Sequence, residues 1–389
     1  MKAKSKSNMS VFSSLIDQSE VVKVLQEAVA ASKNSNDRSQ VMTHAWLFTG
    51  PPGSGRSNAA IAFAAALVCK SGGCSKCNDC LTTISGAHAD VELIKTEGLS
   101  IKIDEIRQLI SRASWAPSIS NWRVVVIEDA DRLTDSAANA LLKVIEEPGL
   151  RTVWLLCAPT LTDVLPTIRS RCRHLALRTP SAKAIAELLV NRDGIDPKVA
   201  NFVARASGGH IGRARYLATD VAAKQSRENI LKIPFMLKDL SSAFMAAQLL
   251  VESAKEDATK DAEQKDEIEI TKLKEAWGAS GTKLAPGGSK AIKELEREQK
   301  SRSTRMVRDY LDRALLDIAT LYRDALLMQS NSTDALINLD LTEKTKQLAS
   351  TFGPERTLKK IEAILRARAQ LAQNAAPLLL IEGLMCELR

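Results

Sequence analysis

The segment that most restricts the fold is Gly50-Pro51-Pro52-Gly53-Ser54-Gly55-Arg56-Ser57. It follows a short apolar run at residues 45–49 and precedes an alanine-rich helical pattern at residues 58–68. Strand, glycine loop and helix in that order form a phosphate-cradling unit, in which backbone N–H groups and the helix N-terminus face an anion. The same alternation continues to about residue 178. Residues 19–30 and 136–147 read as helices, the second stopped by Pro148 and Gly149. Residues 124–127 (Val-Val-Val-Ile) and 153–157 are continuous apolar runs, which mark strands covered on both faces. Strands alternating with helices predict an α/β fold with a parallel sheet.

Beyond Pro180 the pattern contains no further strand. Residues 182–191 and 197–206 read as short helices, the second broken by Gly208-Gly209. From residue 221 the helices lengthen. The clearest, 306–328, carries Val307, Tyr310, Leu311, Ala314, Leu315, Ile318, Leu321, Tyr322 and Ala325 on one stripe. Residues 358–371 and 377–388 follow. Residues 255–305 are densely charged with the two signs nearly balanced, most simply a solvated helix or mobile insertion broken at 278–288. A length of 389 residues accommodates three parts: an α/β domain over 1–178, a small helical part over 179–220 and an all-helical domain over 221–389.

Four motifs carry chemistry. In the phosphate loop, Gly50, Gly53, Gly55 and Ser57 have the expected spacing, but Arg56 stands where a lysine reaches the β- and γ-phosphates. Guanidinium is planar and bulkier than ammonium, so the loop is expected to keep its shape without turning nucleotide over. After strand 124–127 come Glu128 and Asp129, where Mg²⁺ and attacking water are handled in this class; the expected order is Asp then Glu. Each carboxylate is therefore displaced by about one methylene, and in-line attack tolerates little misplacement. Cys69-x4-Cys74-x2-Cys77-x2-Cys80 offers four thiolates able to close a tetrahedral, structural zinc site; reduced thiols or an iron–sulfur cluster are the alternatives. Cys157, Cys172 and Cys386 read as isolated core or near-core thiols. Finally, residues 166–173 read as a helix tip with arginines at 169, 171 and 173, suited to meeting an anion, with Arg171 the candidate finger for a γ-phosphate on a neighbouring subunit.

The net charge of +8 points to an acidic partner, but aromatics are only 4%, too few for a base-stacking surface. No apolar run approaches the ~20 residues of a membrane span. Residues 1–10 lack the apolar core of a signal peptide, and Met9 is an alternative start to Met1. The expectation is a cytoplasmic protein, where thiols stay reduced and clustered cysteines usually mean metal.

With these residues in view, the chain resembles the delta-prime family of bacterial DNA polymerase III clamp-loader subunits, within AAA+. The resemblance covers most of 10–220 and rests on 44–48, the cysteine module, Ala87-His88-Ala89-Asp90-Val91, residues 138–143, Glu146-Glu147-Pro148 and Ser170-Arg171-Cys172. Asn374 with Leu378, Leu379, Leu380 and Glu382 resembles the last collar helix of such subunits. The resemblance implies an AAA+ module with a zinc insertion, a helical lid and a helical collar. It also implies a place in a five-subunit ring with motor gamma/tau and delta subunits, acting with the sliding clamp and primer–template DNA. In that family the delta-prime subunit is a stator that hydrolyses no ATP and lends the arginine of its Ser-Arg-Cys motif to a neighbour. Arg213 and Thr160 stand near positions where motors contact nucleotide. Two other readings stay open: an active ATP/Mg²⁺-dependent motor of gamma/tau type, and a stand-alone zinc-containing DNA-binding protein.

Overall fold

The computed structural model describes residues 10–34, 41–96, 98–276, 288–332 and 336–389. The alternative start at Met9 and, of the predicted break at 278–288, residues 278–287 lie outside these residues. The chain divides into two compact units, one reaching Ala218 and the other running from Thr219 to Arg389.

The first unit runs α1 (Ser19–Lys33), β1 (Ala45–Thr49), α2 (Arg56–Val68), α3 (Asn78–Ile84), β2 (Val91–Ile94), α4 (Ile103–Ala113), β3 (Arg123–Ile127), α5 (Asp135–Glu146), β4 (Thr152–Ala158), α6 (Pro166–Arg169) and β5 (Arg173–Ala176). All four strand pairings are parallel, in the order β2-β3-β4-β1-β5. The apolar runs fall on the three central strands, β1, β3 and β4, which are buried throughout. Alternate residues feed two cores. Trp46, Phe48, Val124, Val126, Val153 and Leu155 pack with α1 and α2; Leu47, Val125, Ile127, Trp154 and Leu156 pack with α4 and α5. The two edge strands, β2 and β5, are ones the sequence pattern did not disclose. Three helices complete the unit: α7 (Ala182–Asp193), α8 (Pro197–Ala206) and α9 (Ile211–Thr219).

The second unit is wholly helical among its described residues: α10 (Val221–Lys232), α11 (Leu240–Ala276), α12 (Gly288–Gln329), α13 (Thr342–Thr351), α14 (Pro354–Ala372) and α15 (Pro377–Leu388). The predicted stripe on α12 is its buried face from Leu311 to Ala325, while Val307 and Tyr310 are only partly covered. The charged run, expected as a solvated helix or mobile insertion, is helical among its described residues and extends two helices into a paired arm. Arg302 on α12 bridges Asp266 (2.5 Å) and Glu269 (2.6 Å) on α11, and Gln299 donates to the Asp266 carbonyl at 3.0 Å. Mixed charge thus serves helix pairing here. Deeper in the unit, Arg227 bonds Asp317 (3.1 Å) and Asn338 (2.5 Å), and Asn338 donates to Asp324 (2.9 Å), a buried polar network whose members satisfy one another. Among the described residues no helix is long and apolar enough to cross a membrane.

Candidate phosphate-loop site and cysteine cluster

Between β1 and α2 the chain turns through Gly53 (φ +89°) and Gly55 (φ +86°), a backbone region that side chains disfavour. A Cβ on Gly53 would lie 2.7 Å from the Cα of His210, the residue preceding α9, so the loop is packed directly against that segment. Arg56 opens α2 and turns back on the loop: Nη1 donates to the Gly50 carbonyl at 2.7 Å, and Nε is buried without a hydrogen-bond partner. The guanidinium thereby engages the loop's first carbonyl with a wide planar group where a lysine would present a slim, mobile ammonium.

Below the loop, Ser57 lies near enough to the Glu128 carboxylate to favour its ionised form, so two of the predicted residues are brought together. Burial pushes the Glu128 carboxyl above its usual range, Lys95 opposes the rise and Asp129 adds to it. Asp131 joins this group although the sequence reading passed over it. Burial, then the charge of Asp129, raises its carboxyl, and Oδ1 is buried without a hydrogen-bond partner. Beside the loop lies a cleft of about 700 Å³ lined by Phe12, Leu15, Asp17, Gln18, Val22 and Arg178. Gln18 ties its walls together, donating to the carbonyls of Arg178 (2.6 Å) and Ser54 (3.3 Å). No local pattern could reveal it, since its walls come from segments about 160 residues apart. Thr160 caps the turn after β4, its N–H donating to Asp163 at 2.9 Å. The Arg213 N–H donates to His210 Nδ1 at 3.1 Å.

The cysteine module follows α2. The Sγ atoms of Cys69, Cys74, Cys77 and Cys80 all lie within 4.8 Å of one another. Left-handed turns at Gly72, Gly73 and Ser75 fold the short gap after Cys69 tightly enough for convergence. Cys69 and Cys74 sulfurs are 3.8 Å apart, Cys69 and Cys77 3.6 Å. A tetrahedral ion with ligands at ~2.3 Å separates its sulfurs by ~3.8 Å, so the donor set fits a metal such as zinc. The N–H groups of Cys77 and Cys80 point at Sγ of Cys74 and Cys77, both at 3.4 Å; this favours thiolate at Cys74, while at Cys77 burial outweighs it. Burial works against ionisation of Cys69, but N–H groups led by those of Cys74 and Gly73 lower its pKa to about 6. The other thiols are buried (Cys157) or half-buried (Cys172, Cys386), in keeping with core positions.

The arginine cluster is only partly as expected. The helix stops at Arg169, and Arg173 opens edge strand β5 instead of extending a helix tip. Arg173 lies 4.9 Å over the Trp46 ring and donates to the Val41 carbonyl, so it is spent inside the fold. Arg171 stands at the surface. Its Nε meets Glu146 Oε1 at 2.6 Å and its Nη1 donates to the Thr167 carbonyl at 2.9 Å.

Asp90, from the motif at 87–91, is fully buried and organises the segment between α4 and β3. It accepts from the N–H groups of Ser118 (2.6 Å), Ile119 (2.8 Å) and Ser120 (2.7 Å) and from the Ser118 hydroxyl (2.8 Å). Burial would raise its pKa, but the N–H groups of Ser118, Ser120 and Ile119 hold it well below the usual carboxylate range. Asp90→Ala orphans these donors and is expected to destabilise the first unit by on the order of 3–5 kcal/mol in denaturant melts. Because the folded pKa is depressed, this contribution is full above the unfolded pKa of ~3.9 and is lost as pH falls towards the folded value. Asp90→Asn should therefore lose most at neutral pH and converge on the parent under strong acid.

A parallel sheet in this strand order, with a phosphate loop after its first strand by sequence and helices on both faces, defines an AAA+ module, followed in this chain by an all-helical region. A family model described as DNA polymerase III, delta subunit, matches residues 18–181, and one described as DNA polymerase III, delta subunit, C terminal, matches 308–388. Together the two spans take in more than half of the chain. The chain is 28% identical over 348 residues to DNA polymerase III subunit delta-prime of Bacillus subtilis, covering 88% of this chain and 89% of that protein. It is 31% identical over 208 residues to the gamma/tau subunit of Mycobacterium bovis, covering 51% of this chain and 35% of that protein. A crystal structure of a DNA polymerase III gamma subunit-related protein from Thermotoga maritima aligns with a TM-score of 0.42 at 16% identity, over 94% of this chain and 98% of that one. The chain belongs to the DNA polymerase III delta-prime family.

Proposed function

We propose that this chain is the stator of a bacterial clamp loader. In this reading it holds its place in a ring with motor gamma/tau and delta subunits, supports loading of the sliding clamp onto primer–template DNA in the cytoplasm, and hydrolyses no ATP itself. Residues 1–178 act as the AAA+ domain, 179–220 as its lid and 221–389 as the collar that assembles the ring. Cys69, Cys74, Cys77 and Cys80 hold a structural zinc ion, which fixes the module and leaves no coordination position for catalysis. Arg171 acts in trans, meeting the γ-phosphate of a nucleotide bound by the adjacent motor.

The observation that carries this reading is the state of the chain's own phosphate loop. Arg56 bonds Gly50 and His210 packs on Gly53, while Arg171 is exposed at the surface. Gly50, Gly53, Gly55, Ser57, Glu128 and Asp129 then form a degenerate site that keeps its architecture. A second reading, an active motor of gamma/tau type, draws on the surviving proximity of Ser57 to Glu128. Mg-ATP binding and turnover by the isolated chain separate the two. The expected result is no turnover above background, with or without primed DNA. Hydrolysis at the pace of a motor AAA+ protein would overturn the stator reading.

A further inference from the structure

We infer that Glu146 is a positioning residue for Arg171, holding the guanidinium by its Nε so that Nη2 is presented outward. The inference rests on the reading of Arg171 as a finger acting on a neighbour's phosphate.

The argument begins with where Glu146 sits. It is the last residue of α5, stopped by Pro148 and Gly149, at the end of the helix where the macrodipole disfavours a carboxylate. That placement needs a cation, and Arg171 supplies it at 2.6 Å. The adjoining elements are rigid: Ile145 and Ile168, from α5 and α6, belong to one buried cluster against which Cys172 also packs. The guanidinium is held from two sides. Nε faces Glu146, while Nη1 faces the Thr167 carbonyl (2.9 Å) and the Ser170 hydroxyl (3.3 Å). Nη2 makes no hydrogen bond among the described residues, which leaves an N–H donor for an incoming anion.

The side chains of Arg171 and Glu146 are 41% and 48% exposed, too open for the pair to matter much to the fold. Orientation is the property it can supply: the ion pair at Nε, together with the Nη1 bond to the Thr167 carbonyl, restrains the fork. Glu147 provides an internal control. It carries the same charge one residue later, is exposed, and makes no ion pair among the described residues.

The test uses the assembly reconstituted from the full chain and its partner subunits, with ATPase rates counted per complex isolated by gel filtration. The Arg171-dependent part of kcat is the difference between parent and Arg171→Ala assemblies. Glu146→Gln is expected to lower that part about fivefold, with KM for ATP changed by less than about twofold. Glu146→Asp should recover at least half of the loss, and Glu147→Gln should match the parent. In the Arg171→Ala background, Glu146→Gln should add nothing, the mark of two residues acting as one unit. A full Arg171-dependent rate in Glu146→Gln, or a loss that persists on top of Arg171→Ala, overturns the inference and leaves the finger reading standing. An Arg171→Ala assembly as fast as the parent removes the finger itself, and the role of Glu146 with it.

Discussion

Removing the metal from the cysteine module, or replacing Cys74 by Ser, is expected to unfold residues 69–84 and loosen the N-terminal segment packed on them. Structural zinc in small modules supplies on the order of 10 kcal/mol of binding free energy at neutral pH, and that energy is folding energy. The loss would spread because the module is part of the first unit's core. Cys69 and Cys80 are buried in the same cluster as Val11, Phe12 and α2, and the Val11 N–H donates to the Gly73 carbonyl at 3.0 Å. Without an ion, four sulfurs within 4.8 Å must stay protonated or repel one another. Metal analysis of the untagged protein should give about one zinc per chain, absent from Cys74→Ser. Limited proteolysis should then cut near the module. Zinc should also be released on acidification, since protons compete for the thiolates. Unchanged melting of the metal-free protein would remove the structural role, and a visible iron chromophore would replace zinc by a cluster.

The second large effect is catalytic and lies outside this chain's own loop. Arg171→Ala should leave stability within about 0.5 kcal/mol, as for other exposed surface substitutions. In the reconstituted assembly it should slow hydrolysis at the adjoining ATP site by about a thousandfold, the lower range for an arginine finger. The assembly's total rate would fall by that site's share. Arg171→Lys keeps the charge but loses the planar fork and the contact of Nε with Glu146, so it should rescue little. Equal rates in parent and variant assemblies would take Arg171 out of the mechanism.

Much of this was legible along the chain, for identifiable reasons. Strands β1, β3 and β4 are covered on both faces, so their sequences are continuous apolar runs, and each prediction fell within about a residue of the observed ends. The starts of α8 and α15 were marked by Pro197 and Pro377, whose missing N–H costs nothing in a first turn. Strands β2 and β5 escaped because each pairs on one side only and is half open, leaving mixed sequences, Val-Glu-Leu-Ile and Arg-His-Leu-Ala. Their strand character comes from the neighbour they pair with. In the arm over 255–305 the helices were expected, but their pairing was not, for a related reason. Its charges look solvated along the chain, yet Arg302 meets Asp266 and Glu269 only once α11 and α12 lie side by side.

By itself, the sequence determined chemistry carried by short spacings: the glycine loop with Arg56 in the lysine position, Glu128 and Asp129 after their strand, four cysteines in a metal-binding pattern, and Arg171 within Ser-Arg-Cys. These could be read because each depends on residues a few positions apart, which local backbone geometry holds together. Tertiary structure alone decided which side chains meet across the fold. It set Arg56 against Gly50, His210 against Gly53, Arg173 over Trp46, Asp90 beneath residues 118–120 and Glu146 against Arg171. All but the first of these join segments about 25 residues or more apart, where the partner is chosen by packing and charge pairing that no local pattern records.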